Sequence, residues 1–153
     1  MNLKIVNNAI GRLLQVLAAL MVFPLIVAFI YHESLSDKLN FIIPIIATAI
    51  IGTILSRVGS EKGHIYTREA MFTTAFCWIL YSLIGAIPLY MTASNYLTFL
   101  DAFFEMASGF TTCGASVATN VDILPNSIIF WRSFSHLIGG MGILVFTLAI
   151  LPQ

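Results

Sequence analysis

Three long apolar blocks, separated by polar connections, constrain this sequence more than any other feature. They cover residues 13–30, 39–55 and 70–92. About 20 apolar residues in a helix cross the hydrocarbon core of a bilayer, so each block predicts a membrane-spanning helix. Pro24 lies within the first block and predicts a kink, because proline cannot donate a backbone hydrogen bond. A further apolar block at 126–151 predicts a fourth span.

The composition agrees with a membrane protein and argues against most soluble classes. Of the 153 residues, 59% are hydrophobic and 9% are charged. Soluble domains average roughly 45–50% apolar and about 25% charged residues. Seven Lys and Arg balance seven Asp and Glu, which leaves no basic surface for a nucleic acid. We therefore expect an all-α integral membrane protein in the lipid bilayer, with no nucleic-acid partner and no bond-making catalysis.

The basic residues predict the direction in which the chain crosses the membrane. Lys and Arg are retained in cytoplasmic loops, whereas acidic residues have little effect. If the first three spans alternate in direction, most basic residues fall on one side: Lys4, Arg12, Arg57, Lys62 and Arg68. Lys38 and Arg132 fall on the other side. The N-terminus is therefore expected in the cytoplasm, and the polar segment 57–69 is expected to be an exposed connection on that side.

The stretch between the third and fourth predicted spans is apolar but too short to cross. No Lys or Arg occurs between Ala93 and Pro125, and residues 97–110 are largely apolar. A helix over 97–110 rises about 21 Å, which is enough to enter the membrane but not to cross it. The pattern predicts a re-entrant half-helix. The chain then consists of two preliminary spans followed by a unit of helix, pore loop and helix.

The half-helix is followed by a run at 111–116 that has neither charges nor large side chains. Non-helical backbone at membrane depth is tolerated only where it is buried in protein or lines a watery path. Extended backbone could present carbonyl oxygens that replace the hydration shell of a monovalent cation. Gly114 permits the required φ values, and the C-terminal end of the half-helix favours a cation. The run predicts a cation filter; the alternative is a surface loop with a glycine turn.

Four ionisable residues near this run have alternative interpretations. Asp101 and Glu105 share one face of the half-helix and form either an acidic outer vestibule or a solvated or paired surface. Arg132 either pairs with one of these acids and locks the half-helix, or extends to the lipid headgroups. His136 is expected to be neutral and bonded to a neighbouring helix. The glycines at 139–142 favour close helix packing over a gating hinge.

The pattern contains no motif for a resident metal, cofactor or disulfide. The histidines lie far apart, without an H-E-x-x-H motif or a Cys/His cluster: His32, His64 and His136. Neither a Walker motif nor G-x-G-x-x-G is present for a nucleotide. Cys77 lies inside an apolar block and is a poor disulfide partner for Cys113. We expect no cofactor.

A set of motifs in the second half of the chain resembles a known family. They are DAFFE at 101–105, SGFTTCGA at 108–115, FWR at 130–132, GGMGI at 139–143 and LP at 151–152. Their order and spacing resemble the first pore repeat of bacterial Trk-type potassium uptake subunits, within the Trk/Ktr/HKT superfamily. The two upstream helices and the segment from EKG at 61–63 to RE at 68–69 also resemble the Trk N-terminus, so the resemblance covers essentially the whole chain.

The resemblance implies a division of the chain and a role for its loop. Residues 1–69 would form the N-terminal two-helix region, and 70–153 the first pore repeat. The potassium-facing backbone carbonyls would come from four residues of one quarter of a selectivity filter: Thr111, Thr112, Cys113 and Gly114. Thr112 and Cys113 are expected to contribute most directly. Many Trk subunits have Thr where this chain has Cys113, which matters little if the backbone carbonyl is the ligand.

The resemblance also implies a location and partners. A Trk-type subunit lies in the bacterial inner membrane, transports potassium and works with a cytoplasmic nucleotide-binding subunit. Four different repeats surround its path, whereas this sequence contains one, so the remaining repeats are expected as partners. Two alternatives stay open. Other copies of the chain could form a small homotetrameric cation channel, or the chain could be a truncated, non-conducting structural piece.

Overall fold

The chain folds into six helices within the residues that the structure describes. The structure is a computed structural model, and it describes residues 3–59, 67–118, 121 and 123–150, without the side chains of 67 and 145–150. The helices are α1 (Leu3–Leu20), α2 (Val22–Ile30), α3 (Leu35–Val58), α4 (Thr67–Ala93), α5 (Phe99–Phe110) and α6 (Asn126–Ile150). No strand occurs among these residues. The predicted all-α fold is confirmed.

The first predicted span is formed by α1 and α2, which together run from Leu3 to Ile30 over 28 residues. The prediction of 13–30 was wrong at its start, because polar residues before the apolar block are also helical. Asn8 is one of them, and its Nδ2 donates to the carbonyl of Ser56 on α3 at 2.7 Å. The predicted kink corresponds to a one-residue break at Met21. Pro24, three residues later, has no N–H for the carbonyl of Leu20.

The second and third predicted spans correspond to α3 and α4, and both helices extend beyond the predicted 39–55 and 70–92. Ser34 caps α3 by accepting from the backbone N of Asp37 at 3.2 Å, so the helix begins in polar sequence. The prediction of an exposed connection over 57–69 was wrong at both ends. Helix α3 continues to Val58, and Glu69 in the first turn of α4 is only 5% exposed. Residues 60–66 lie outside the described residues.

The half-helix and the fourth predicted span correspond to α5 and α6. Helix α5 begins two residues later than the predicted 97–110, because Thr98 serves as its N-cap. Helix α6 has 25 residues and rises about 37 Å, and position 151 of the predicted span lies outside the described residues. By length and apolar composition, three helical segments in the described part of the chain can cross a membrane: Leu3–Ile30, Leu35–Val58 and Arg68–Ala93.

The main core surrounds α5, which packs against both α4 and α6. Phe110 and Trp131 are almost fully buried and meet edge to face, with ring centroids 6.0 Å apart. The indole Nε1 of Trp131 donates to the carbonyl of Gly85 on α4 at 3.0 Å. Between helices in a membrane, such packing and hydrogen bonds replace the hydrophobic driving force that acts in water. The core therefore fixes where α5 ends and the following loop begins.

Candidate functional site

The C-terminus of α5 is held by helices on two sides. The indole Nε1 of Trp78 on α4 donates to the carbonyl of Phe110 at 2.8 Å. On α6, Gly139 lies so close that a Cβ there would be 2.1 Å from the same carbonyl oxygen. The expectation that the glycines at 139–142 serve close packing agrees with this contact. The start of the loop is thus fixed by α4 and α6 together.

The residues after Phe110 close the helix in a Schellman motif. The backbone N of Thr112 donates to the carbonyl of Gly109, and that of Cys113 to the carbonyl of Ser108, each at 2.9 Å. In this motif one residue adopts the left-handed conformation, and it is usually glycine. Here it is Thr112, with φ of 58°. The prediction of extended backbone from residue 111 was therefore wrong for Thr111 and Thr112, because both complete the helix end.

Thr112 is a residue whose conformation the sequence reasoning missed. A β-branched residue at positive φ is a genuine outlier, and the left-handed conformation costs an L-residue roughly 1–2 kcal/mol. Such outliers persist where the surrounding structure imposes them, and they cluster at functional sites. No sequence signal marks Thr112, because a Schellman motif is normally recognised in a sequence by a glycine at this position.

Gly114 occupies the conformation that the sequence predicted for it. Its φ is 77°, and no heavy atom lies within 4 Å of the position that a Cβ would take. Space is therefore not what requires glycine here; the backbone angle is. Together with Thr112, it places two left-handed residues within one short loop.

The loop is irregular and exposed in this chain. Residues 113–118 form neither helix nor strand, and 111–117 are exposed. Irregular backbone does not occur facing lipid, because its polar groups would lose their hydrogen bonds. If α5 enters the bilayer, this surface must face water or other protein.

Glu105 anchors the returning part of the loop to α5. Its side chain is buried, and Oε1 accepts from Ser116 Oγ at 2.7 Å and from the backbone N of Val117 and Ala118 at 2.7 and 3.0 Å. Its other oxygen, Oε2, forms a salt bridge with Nη2 of Arg132 on α6. One carboxylate thus joins α5, the loop and α6.

Arg132 completes this anchor and pairs with one of the two acids that the sequence offered. Its Nη2 also donates to Ser116 Oγ at 3.0 Å, so the hydroxyl accepts from Arg132 and donates to Glu105. Breaking a buried ion pair by removing one partner typically costs about 3–5 kcal/mol. Because Glu105 is buried and paired, it does not present a charge to an outer vestibule.

Asp101 has a separate and local role. It forms a capping box with Thr98: its Oδ2 accepts from the backbone N at 2.9 Å, and the Thr98 hydroxyl accepts from the backbone N of Asp101 at 3.3 Å. The Thr98 hydroxyl also donates to Oδ2 at 2.7 Å, and this bond, together with the one from the Thr98 backbone N, holds the pKa of Asp101 below its ordinary value. The structure therefore separates the two acids by function: Asp101 starts α5, and Glu105 fastens the loop.

Glu33 is a second residue that the sequence reasoning missed. It lies between α2 and α3, and its Oε1 accepts from the backbone N of Ser127 at 2.9 Å, while Ser127 Oγ donates to Oε2. The carboxylate thereby caps the N-terminus of α6, where the helix dipole favours negative charge. The partners are far apart in the sequence, so no local pattern could have paired them.

His136 forms a hydrogen bond within its own helix, and neither cysteine is in a disulfide. His136 Nδ1 donates to the carbonyl of Arg132 at 2.9 Å, so the expected bond to a neighbouring helix was wrong, and the bond lies within α6. Cys77 is buried and Cys113 is exposed, and both are free thiols.

In the part of the chain that the structure describes, no group of three His, Cys, Asp or Glu side chains could hold a metal ion.

The likeness to known proteins agrees with this arrangement of half-helix, loop and flanking helices. The family model described as "TrkH: Cation transport protein" matches residues 37–153. The chain belongs to the TrkH family. The Trk resemblance seen in the sequence is thereby confirmed, and the chain corresponds to the N-terminal part of TrkH proteins.

Two curated relatives illustrate the similarity. A cation transporter of Methanocaldococcus jannaschii, described as uncharacterized, is 39% identical over 146 residues, which cover 95% of this chain and 30% of that protein. The Trk system potassium uptake protein TrkH of Salmonella typhimurium is 35% identical over 153 residues, covering 99% of this chain and 31% of that protein. The chain thus spans about a third of the length of these relatives.

A solved structure of the TrkH family has the same fold. The crystal structure of the potassium transporter TrkH from Vibrio parahaemolyticus matches with a TM-score of 0.90 at 28% identity. The match covers 100% of this chain and 32% of that one. Together with the apolar helices, it identifies this chain as a membrane protein.

Proposed function

We propose that the chain takes part in potassium uptake and that residues 111–114 supply backbone carbonyls to one quarter of a selectivity filter. The observation that carries the proposal is the exposed, irregular loop at the end of a half-helix, anchored by Glu105 and Arg132. The Salmonella relative, named as a potassium uptake protein, supports potassium as the ion.

The chemistry of the loop suits a dehydrated monovalent cation. Thr111, Thr112, Cys113 and Gly114 carry no charge, so the ligands offered are oxygen dipoles of the backbone. Rings of such carbonyls replace the hydration shell of potassium without binding it too strongly to leave. The negative end of α5 points to the loop and adds a favourable field. Cys113 supplies its carbonyl in place of the Thr found in many Trk subunits.

The other carbonyls of the filter must come from outside this stretch of chain. One loop cannot surround an ion, and the exposure of 111–117 leaves room for further loops. The relatives are about three times as long as this chain, so further pore repeats are the partners that we propose.

The orientation and the regulatory partner are part of the same proposal. We place the N-terminus in the cytoplasm and the chain in the bacterial inner membrane, because Arg57 and Arg68 would then face the cytoplasm. No nucleotide-binding motif occurs in the sequence. A separate cytoplasmic nucleotide-binding subunit of Trk type would therefore confer any response to nucleotides.

The test of the filter is the substitution Gly114→Ser in the full-length transport protein, with uptake of potassium, rubidium and sodium measured in cells that lack other uptake systems. A side chain at φ of 77° strains the loop, so we expect potassium uptake to fall and its preference over sodium to narrow. Gly142→Ser is the matched control, because a Cβ there meets nothing closer than 3.7 Å. An unchanged preference in the Gly114 variant, at normal protein levels, would refute the proposed filter.

A further inference from the structure

The last carbonyl of α5 takes its hydrogen bond from a different helix. The final carbonyls of an α-helix have no partner within the helix and need one from elsewhere. The backbone N–H groups of residues 111–113 donate to the carbonyls of residues 107–109. The carbonyl of Phe110 accepts from the indole Nε1 of Trp78 on α4, at 2.8 Å and 32 positions earlier in the chain. Trp78 thus satisfies the oxygen at which the half-helix meets the loop.

This hydrogen bond fixes a whole peptide group. A peptide group is planar, so holding the carbonyl oxygen of Phe110 also holds the N–H of Thr111. That N–H donates to the carbonyl of Ala107 at 2.9 Å. The peptide group is therefore hydrogen-bonded at both of its polar ends and resists rotation. The next carbonyl along the chain is that of Thr111, the first of the four in the proposed filter, so its direction depends on this group.

The side chain of Phe110 is held by the same face of α4. Tyr81, three residues after Trp78, meets the Phe110 ring edge to face, with ring centroids 5.7 Å apart. A Cβ on Gly85 would lie 3.1 Å from Cε2 of the same ring. From α6, Gly139 closes on the carbonyl group of Phe110. Phe110 is thus fixed at its ring and at its carbonyl, and only Trp78 does so through a directional hydrogen bond that a single substitution can remove.

We propose that Trp78 is a positioning residue for ion selectivity: its indole N–H orients the peptide group between Phe110 and Thr111 and thereby aims the first carbonyl of the filter. Trp78 acts through the Phe110 carbonyl and is not itself a ligand. The inference rests on the proposed filter at residues 111–114.

The loss of this donor would be felt at the filter because the Phe110 carbonyl has no access to water. Phe110 is 1% exposed, and a buried carbonyl needs a hydrogen-bond partner. Without the indole N–H, the carbonyl would turn towards another donor, and the adjoining carbonyl of Thr111 would turn with it. Binding sites need their ligands held to within about 0.5 Å. A displaced carbonyl would therefore weaken the distinction between two cations of equal charge and different size.

The test is the substitution Trp78→Phe in the full-length transport protein, which keeps an aromatic ring and removes the donor. Uptake of potassium and sodium is measured in cells that lack other uptake systems, at matched protein levels. We expect the preference for potassium over sodium to fall about fivefold, the factor that corresponds to one typical hydrogen bond.

A second variant separates the hydrogen bond from the size of the side chain. The tryptophan analogue in which sulfur replaces the indole N–H has nearly the same shape, and it can be incorporated at position 78. It should reduce the preference for potassium as Trp78→Phe does. This analogue also keeps the test decisive if Trp78→Phe fails to fold.

Tyr81→Phe is the matched control on the same face of α4. The Tyr81 hydroxyl donates to the carbonyl of Leu13 on α1 at 2.6 Å, so this substitution also removes a side-chain donor from a carbonyl of another helix. It keeps the ring that contacts Phe110. The free energy of unfolding should fall, and the preference for potassium should stay unchanged.

The outcomes distinguish this inference from the proposed filter. If Gly114→Ser narrows the preference for potassium but neither change at Trp78 does, the filter stands and the role of Trp78 is wrong. If none of these variants changes the preference, the filter itself is refuted, and this inference with it. An equal narrowing in Tyr81→Phe and Trp78→Phe would show a general effect of weakened packing and would also overturn the inference.

Discussion

The carboxylate of Glu33 caps the first turn of α6 by accepting two hydrogen bonds from Ser127. This contact ties the connection between the first two spans to the start of the helix that carries Arg132. The N-terminal pair of spans is therefore joined to the unit formed by α4, α5 and α6 through a defined polar contact in addition to packing.

Removing the Glu33 cap should destabilise the chain measurably. N-cap interactions are worth about 0.5–2 kcal/mol, so we expect Glu33→Gln and Ser127→Ala each to lower the free energy of unfolding by about 1 kcal/mol. In the double variant the two losses should not add, because both remove the same contact. Thermal unfolding in detergent measures all three. Fully additive losses would show that the contact contributes nothing to stability.

Glu105 should be harder to replace than Arg132. Glu105→Ala removes the acceptor for Ser116, Val117 and Ala118 as well as the ion pair, whereas Arg132→Met removes the ion pair and one hydrogen bond to Ser116. We expect both variants to lower the free energy of unfolding by an amount within the range of about 3–5 kcal/mol. The Glu105 variant should lie at the upper end of this range and the Arg132 variant at the lower end.

The same asymmetry predicts the outcome of exchanging the two charges. An arginine at position 105 cannot accept hydrogen bonds from the backbone of Val117 and Ala118. The double variant Glu105→Arg with Arg132→Glu should therefore not restore stability or uptake. Restoration to the level of the unaltered protein would mean that the ion pair alone matters and that the backbone bonds do not.

Gly139 should tolerate no side chain. In Gly139→Ala the added Cβ would meet the Phe110 carbonyl oxygen at 2.1 Å, which forces α6 away from the end of α5. Overpacking of this kind costs typically about 1–3 kcal/mol. Gly140→Ala is the matched control, since its nearest neighbour is Thr112 Cγ2 at 3.8 Å. The free energy of unfolding and the rate of potassium uptake should both fall in Gly139→Ala. Both should stay unchanged in Gly140→Ala.

Thr112→Gly should stabilise the helix end. Glycine adopts the left-handed conformation without the cost of a Cβ, so a gain of about 1 kcal/mol is expected. Thr111→Gly provides the contrast, because Thr111 is right-handed and its Oγ1 donates to the Ala107 carbonyl at 2.7 Å. That variant should be less stable. The same sign in both variants would contradict the strain assigned to Thr112.

Acid should weaken the N-terminus of α5 through Asp101. The pKa of Asp101 is lowered in the folded chain by its hydrogen bonds with Thr98, so the folded state favours the carboxylate. Its stabilisation is complete above the ordinary aspartate pKa of 3.8 and is lost as the pH falls below that value. In Asp101→Asn this part of the pH dependence should disappear from thermal unfolding curves. An identical acid profile in both proteins would show that the cap does not titrate.

The spans could be predicted because each needs about 20 consecutive apolar residues, which can be read directly from the sequence. The ends of the helices could not be predicted, because polar residues at the ends form contacts with other helices. Asn8 lies in α1 and donates to the Ser56 carbonyl of α3, and Glu69 is buried in the first turn of α4. A sequence pattern cannot show a contact between distant positions.

The position of the candidate loop was predictable for a different reason. An uncharged run with Gly114 after a helix too short to cross leaves few alternatives. The conformation of Thr112 was not predictable, because the Schellman motif usually contains glycine. The pairing of Arg132 was left open between two acids, and the structure resolves it through the capping box that occupies Asp101.

The last four carbonyls of α5 all have donors within the chain. Thr111, Cys113 and Thr112 donate their backbone N–H groups to Ala107, Ser108 and Gly109, and Trp78 donates to Phe110. In the proposed filter, the half-helix would therefore act on a cation chiefly through its dipole, because each of these oxygens already accepts a hydrogen bond. Ligation by backbone carbonyls would then begin after Phe110. An ion would thus be attracted by one segment of the chain and released or retained by another, and the two functions can change independently through substitution.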